Sequence, residues 1–535
     1  MELIANATKE KLRGGFYTPE PIVKFINSWL KVASVNGDIL EPSCGDGNFL
    51  NAFDPDKFTS VTGVEFDPGE YKKALKRSPE GFHIINEDFH RFCNTTKQRF
   101  DAVVGNPPYI RYQYFDRDQQ EEAKTILERA GLQYSKLMNA WVSFVVGSTL
   151  LLKPEGKIAF VLPAELLQVG YAKRLRSYLI KEYKKINIIT FKTLVFEDIQ
   201  QEVVLLFCDK KGEGKPKIDH YELADLNELQ KFNPKKLLKP SKNIQIAEAK
   251  WTHYFLNQEE IKLIKKIEQL EGCFPLRKAC KIEVGITTGA NPFFTVTHQT
   301  VEEYNLWDYA FPMVGRSVQV PSIVMTDKDW DQNVDKGARA YFLKFPQFSS
   351  LNAGAKRYIK DAEENHSYHL GYKCRIRDEW HIVPSTRISD GLFIRRNNIF
   401  PRLIRNDIPA HTTDTMHRVW MRDGYSLDSL TGSYYNSLSL AFAELKGRSH
   451  GGGVLELMPN EAESILVPYN EDHAALLPEI DYMFRSGKKI SDILPVTNRI
   501  ILKKHLGLGA TEIKMIEGVR LKLLGRRLSR GNKSH

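Results

Sequence analysis

Short apolar runs recur through the first half of the chain. They lie at Ile39-Leu40, Val61 to Val64, His83 to Ile85, Ala102 to Val104, Lys157 to Leu162, Ile186 to Phe191 and Val203 to Phe207. Each is short and mostly apolar, the pattern of a strand buried on both faces. Helical spacing appears between several of them. Ile22, Ile26, Trp29, Leu30 and Ala33 fall on one helical face, and the preceding Thr18-Pro19-Glu20 predicts a capped start with proline in the first position. The run Trp141 to Leu152 is too short to span a bilayer and predicts a buried helix. Alternation of this kind predicts an α/β fold with a largely parallel, doubly wound, Rossmann-like sheet.

The alternation stops near residue 209. Two lysine-rich, turn-forming stretches follow, Lys210 to Lys217 and Lys235 to Lys242, and the domain boundary is expected within Lys235 to Lys250. The division is therefore residues 1–245 and residues 246–535, the second a mixed α+β domain rich in aromatic, basic and turn-forming residues. No fixed-period repeat is visible. Arg520, Lys522, Arg526, Arg527, Arg530 and Lys533 are opposed locally only by Glu517. They read as a solvated basic end, with contact to phosphate as the alternative.

The chain has 535 residues, enough for two full cores, and a formal charge of +10. That excess favours a polyanionic partner without naming one. The cysteines Cys44, Cys93, Cys208, Cys273, Cys280 and Cys374 form no CxxC pair. Neither a metal site nor a disulfide framework is expected, and a reducing cytoplasm is. Met1 to Gly15 is polar, without the apolar core of a signal peptide. No membrane association is expected.

Acidic residues stand at successive strand ends: Glu41 after Ile39-Leu40, Glu65 after Val61 to Val64, and Asp88 after His83 to Ile85. Ligands of doubly wound sheets bind beyond those ends. Gly45 and Gly47, in Glu41-Pro-Ser-Cys-Gly-Asp-Gly47, let the backbone turn and approach a ligand closely. A pyrophosphate loop would want GxGxxG and few carboxylates. Three acids suit instead a ligand with an ammonium, a ribose diol and an adenine amine. S-adenosylmethionine has all three.

Asn106-Pro107-Pro108-Tyr109 follows the run Ala102 to Val104. An amide oxygen, a carbonyl aimed by consecutive prolines and an aromatic face together grip a flat group bearing an NH2. Asn106 and Pro107 can accept hydrogen bonds from both N–H groups of an aromatic amine, restoring nucleophilic character to its nitrogen, while Tyr109 stacks on the ring. A base inside a duplex must flip out to reach such a site. Phe196 is the candidate for a second stacking wall.

These motifs, in this order, resemble the gamma-class (TaqI-like) DNA adenine-N6 methyltransferases of bacterial restriction–modification systems. Arg13-Gly-Gly-Phe-Tyr-Thr-Pro19 is similar to the N-terminal cofactor motif, and Asn106 to Tyr109 to the catalytic one. The resemblance implies that Thr18 and Glu41 lie at the methionine end of S-adenosylmethionine and that Gly45, in the loop similar to motif I, also binds the cofactor. It further implies that Glu65 holds the ribose, that Asp88 and Phe89 form the adenine-side motif, and that Phe144 packs on the adenine. It places Phe196 where a second aromatic stacks on the flipped base. Residues 246–535 resemble a target-recognition region more loosely, through Val284 to Phe294. There Arg316, Arg395, Arg396, Arg402, Arg405 and Arg448 are candidate contacts to DNA, and Gly451 to Gly453 a candidate backbone approach. The implied partner is double-stranded DNA, with a separately encoded cognate nuclease, a monomeric enzyme and no metal. RNA adenine and protein glutamine methylation use the same tetrapeptide logic. The extra basic region after the cofactor half weighs toward DNA.

Overall fold

The computed structural model describes residues 17–529 except 137, 197–200, 213, 240–250, 385 and 451. The described residues divide into two compact units. The first is formed mainly by residues up to Phe255, the second by Leu256–Ser449 and Gly453–Leu528.

Eight strands build the sheet of the first unit: β1 (Asp38–Glu41), β2 (Ser60–Glu65), β3 (His83–Asn86), β4 (Phe100–Gly105), β5 (Leu152–Pro163), β6 (Lys185–Phe191), β7 (Val203–Asp209) and β8 (Lys217–Leu223). Their order is β3-β2-β1-β4-β5-β7-β6-β8. All neighbours pair in parallel except β7, which runs antiparallel to both β5 and β6. This is a doubly wound, Rossmann-like α/β sheet in which the order reverses between β1 and β4. The seven apolar runs of the sequence lie within β1 to β7. Strand β8 carries no such run, because it is an edge strand whose residues are mostly half-buried.

Helix α1 (Glu20–Val32) buries Ile22, Ile26, Trp29 and Leu30 against the sheet core. Its start differs from the expected one. Pro19 is the N-cap and Thr18 makes no capping bond. The carbonyl of Pro19 takes the first backbone bonds, from Ile22 and Val23. Thr18 is buried, its own carbonyl accepting from Asn48 Nδ2 at 2.8 Å. Helices α2 (Pro68–Arg77), α3 (Phe89–Thr95) and α4 (Arg117–Arg129) follow. Helix α5 (Trp141–Leu151) is the buried one that its uninterrupted apolar run predicts.

The second unit is mixed α+β. Its central sheet has the order Cys280–Val284, Met416–Met421, Gly391–Ile394, Leu403–Asn406, Val324–Met325. The C-terminal helix Ala510–Leu528 corrects the reading of a solvated basic end. It buries Ile516, Val519, Leu523 and Leu524 together with Arg520 and Arg527. Arg527 pairs with Glu444 at 2.6 Å, Arg520 with Glu517 at 2.6 Å and Lys522 with Glu260 at 3.0 Å. Glu444 and Glu260 are brought to these cations by the fold, so a local charge count could not find them. Arg530 and Lys533 lie outside the described residues.

Candidate cofactor and catalytic site

Parallel pairing places the ends of β1, β2, β3 and β4 along one edge of the sheet. The loop leaving β1 turns at Gly45 and Gly47, both at positive φ (55° and 87°). Gly47 also lies against α2, where an added Cβ would come within 3.0 Å of the Ala74 backbone. The loop is pinned from two sides. Arg77 of α2 pairs with Asp46, and the Gly45 N–H donates to Glu65 Oε2 at 2.8 Å.

Glu41 is 2% exposed, and its Oε2 has no hydrogen-bond partner among the described residues. Burial, with the Glu65 charge adding to it, pushes the Glu41 carboxyl well above the ordinary range. A buried acceptor left without a donor is costly. It suits a cationic, hydrogen-bonding ligand group, such as the ammonium of S-adenosylmethionine. Glu65 accepts from two backbone N–H groups, Gly45 and Asp67 (both 2.8 Å). Burial nonetheless raises its carboxyl. Burial and these same acids push the Cys44 thiol far up, so it is no nucleophile at neutral pH.

Asp88 caps α3, its Oδ1 accepting from the His90 and Arg91 backbones. The same oxygen lies 3.1 Å from His90 Nδ1, and Gln119 Nε2 of α4 donates to Oδ2 at 3.0 Å. Burial acts to raise this carboxyl, but the bonds from His90 and Gln119 outweigh it and hold the group below its ordinary value. His90 Nε2 in turn meets Ser143 Oγ of α5 at 2.7 Å. Neither His90, Ser143 nor Gln119 stood out in the sequence. The only local hint was a histidine two positions after an acid at a strand end. Phe89 and Phe144 stack on each other, centroids 4.8 Å apart, and both are buried. Phe144 also presents to the edge of His90.

Asn106 to Tyr109 leave the end of β4, beside Glu41 at the end of β1. A Cβ on Gly105 would lie 3.5 Å from Glu41 Cγ. Ser43 Oγ donates to the Asn106 carbonyl at 3.4 Å, tying the two loops. Asn106 Oδ1 is shielded from solvent, and Pro107 is buried. The Tyr109 hydroxyl donates to the Val161 carbonyl of β5 at 3.1 Å, which fixes the ring direction. Phe196 is 5% exposed in the sheet core cluster, against which Tyr109 also packs.

In the second unit Arg316 is exposed, whereas the other candidate arginines are engaged within the protein. Arg395 and Arg396 share Glu456, Arg405 pairs with Asp407 and Asp428, and Arg448 pairs with Glu461. Arg402 donates to the carbonyls of Ser317 and Val320. Gly451 lies outside the described residues. Among the described residues no cluster of His, Cys, Asp or Glu could hold a metal ion, and no helix is long and apolar enough to cross a membrane.

Two family models match in tandem. The model described as Eco57I restriction-modification methylase matches residues 49–196. The model described as the C-terminal domain of the Type II methyltransferase M.Eco57I matches residues 248–502. The Type II methyltransferase M.AccI of Acinetobacter calcoaceticus is 22% identical over 517 residues, covering 92% of this chain and 93% of that protein. M.HindII of Haemophilus influenzae is 26% identical over 319 residues, covering 56% of this chain and 58% of the relative. The structure of a DrdV–DNA complex aligns with 89% of this chain and 57% of its own at 13% identity, with a TM-score of 0.49.

Proposed function

Because the chain belongs with the restriction–modification DNA methyltransferases, we propose that it transfers a methyl group from S-adenosylmethionine to N6 of an adenine flipped out of double-stranded DNA. The observation that carries this reading is the placing of Asn106 to Tyr109 at the end of β4, directly beside a buried, partnerless carboxylate at the end of β1. One feature accepts hydrogen bonds from an aromatic amine, and the other accepts a cation.

When bound, S-adenosylmethionine supplies an electrophilic methyl group. Glu41 would hold its ammonium, Glu65 the ribose hydroxyls and Asp88 the adenine amine, with Thr18, Gly45, Phe89 and Phe144 shaping the walls. Asn106 Oδ1 and the Pro107 carbonyl accept from the two N–H groups of the target amine. They favour a nitrogen whose lone pair leaves the ring and faces the electrophile. The methylated amine then loses its extra proton, so no general base is required beforehand. Tyr109, its ring set by Val161, stacks on the base, and Phe196 is the proposed opposite wall. The work of the chain is positioning and electrostatics. Target recognition is assigned to the second unit, and a cognate nuclease would be the partner in the cell.

Single-molecule sequencing of DNA from cells expressing the protein tests this directly. N6-methyladenine in one fixed sequence context is expected. Its absence, with methyl transfer to RNA or to a protein amide instead, would overturn the adenine-in-DNA assignment.

A further inference from the structure

Between Leu370 and Ile376 the second unit exposes large apolar side chains in a cluster. Leu370 is 62% exposed, Tyr372 63% and Ile376 61%. Exposed apolar residues scattered singly are ordinary, whereas three in one short segment mark a contact surface. Lys373 and Arg375 stand between them, both exposed, their side chains without hydrogen-bond or ion-pair partners among the described residues. No acid occurs from Ser367 to Arg377.

The segment is held firmly from beneath. Ser367 adopts a left-handed φ of 53°, reversing the chain after the helix Ala353–His366. Cys374 is fully buried. Arg377 donates to the carbonyls of Thr288 at 2.6 Å and Thr287 at 3.2 Å. Tyr368 packs on Phe293 and His366. Anchored backbone with free apolar and cationic tips is the construction of a ridge, not of a loose loop.

We propose that residues 370–376 are a DNA-contacting ridge. Lys373 and Arg375 neutralise phosphates, and Leu370, Tyr372 and Ile376 lie against the sugar and base surface of a groove or wedge at a base step. The cations, whose side chains pair with no acid among the described residues although Asp378 and Glu379 follow closely in sequence, favour a polyanion over an apolar protein partner. This rests on the proposed function, since it supplies a surface for the same DNA.

Fluorescence anisotropy of the full-length protein with a labelled duplex, titrated over a range of salt concentrations, is the test. Lys373→Ala with Arg375→Ala should lower the slope of log affinity against log salt by about 2, one unit per lost phosphate contact. Leu370→Ser with Tyr372→Ser and Ile376→Ser should weaken binding at least about tenfold at unchanged slope. Both variants should keep wild-type thermal unfolding and S-adenosylmethionine binding, because the positions are solvent-exposed. Wild-type affinity and slope in both variants, from a protein that does bind and methylate DNA, overturns the ridge alone. A wild-type protein that neither binds nor methylates DNA overturns the proposed function itself. Retained DNA binding by the variants with lost binding to anionic vesicles assigns the ridge to a membrane and also overturns the proposal.

Discussion

His90 Nε2 lies 2.7 Å from Ser143 Oγ, while the Nδ1 of the same ring faces Asp88 Oδ1 at 3.1 Å. Ser143 Oγ lies 2.9 Å from the Ala140 carbonyl, to which it donates. With the ring proton on Nδ1, His90 donates to the Asp88 carboxylate, and the Ser143 hydroxyl, shared between the Ala140 carbonyl and Nε2, is the donor to the other side of the ring. His90 is therefore a positioning residue for Asp88, the acid proposed to hold the cofactor adenine. Substituting His90 by Ala should raise the S-adenosylmethionine KM by about 10- to 100-fold, the scale seen when outer partners of ligand-holding groups are lost. At saturating cofactor kcat should stay within about twofold, because no reacting atom is touched. Asn in its place can still donate and should recover part of the loss. A fall in kcat with unchanged KM would refute the role.

As the proposed holder of the cofactor ammonium, Glu41 should make cofactor binding depend on pH. Its carboxyl is raised by burial and by Glu65, so it is held protonated in the ligand-free fold beyond the ordinary carboxylate range. The stability tied to that proton is fully present below the unfolded value of about 4.3 and is lost as pH rises through the raised one. Glu41→Gln should therefore unfold at a higher temperature than wild type at neutral pH without cofactor, by about 2 °C per kcal/mol gained. The gap should close near pH 4. At a pH where the ligand-free carboxyl still holds its proton, cofactor binding to wild type should release it, seen in calorimetry as a heat that varies with the buffer. A gap independent of pH would show that Glu41 does not titrate in the fold.

In the proposed mechanism Asn106 acts on the acceptor rather than the donor. Asn106→Ala should lower kcat at least about 100-fold, the scale for removing one aimed polar group from a reacting centre. The cofactor dissociation constant should stay within about twofold. Rapid-quench transfer assays beside equilibrium binding separate the two, and full activity in the variant would remove Asn106 from the chemistry.

The elements most legible in the sequence are those whose burial is symmetric. Strands β4 and β7 are almost wholly buried, so they read as unbroken apolar runs. Strand β8 is half-buried and mixes Lys217, Asp219, His220 and Glu222 with its apolar positions, which hides it. The site acids were visible because each stands one to three positions past an apolar run. His90 and Ser143 are 53 positions apart, and no local pattern brings them together. Phe196 reads from the sequence either as a stacking wall or as core, and it lies in the core cluster against which Tyr109 also packs. The insertion of β7 between β5 and β6 is likewise a property of long-range packing.

The Arg527–Glu444 pair tests how much of the second unit depends on its C-terminal helix. Arg527 is buried, and its guanidinium donates to both Glu444 oxygens (3.1 and 2.6 Å) and to the Asn398 carbonyl at 2.6 Å. Burial raises the Glu444 carboxyl even with Arg527 beside it, so the pair is a charge couple kept at a desolvation cost. Removing one partner leaves the other charge buried. Arg527→Met should therefore destabilise the protein by about 3–5 kcal/mol, whereas Arg527→Met with Glu444→Leu should recover most of that loss. Denaturant unfolding of the three proteins measures the coupling. Equal loss in the single and double variants would mean that the arginine acts through its backbone-carbonyl bonds instead of through the ion pair.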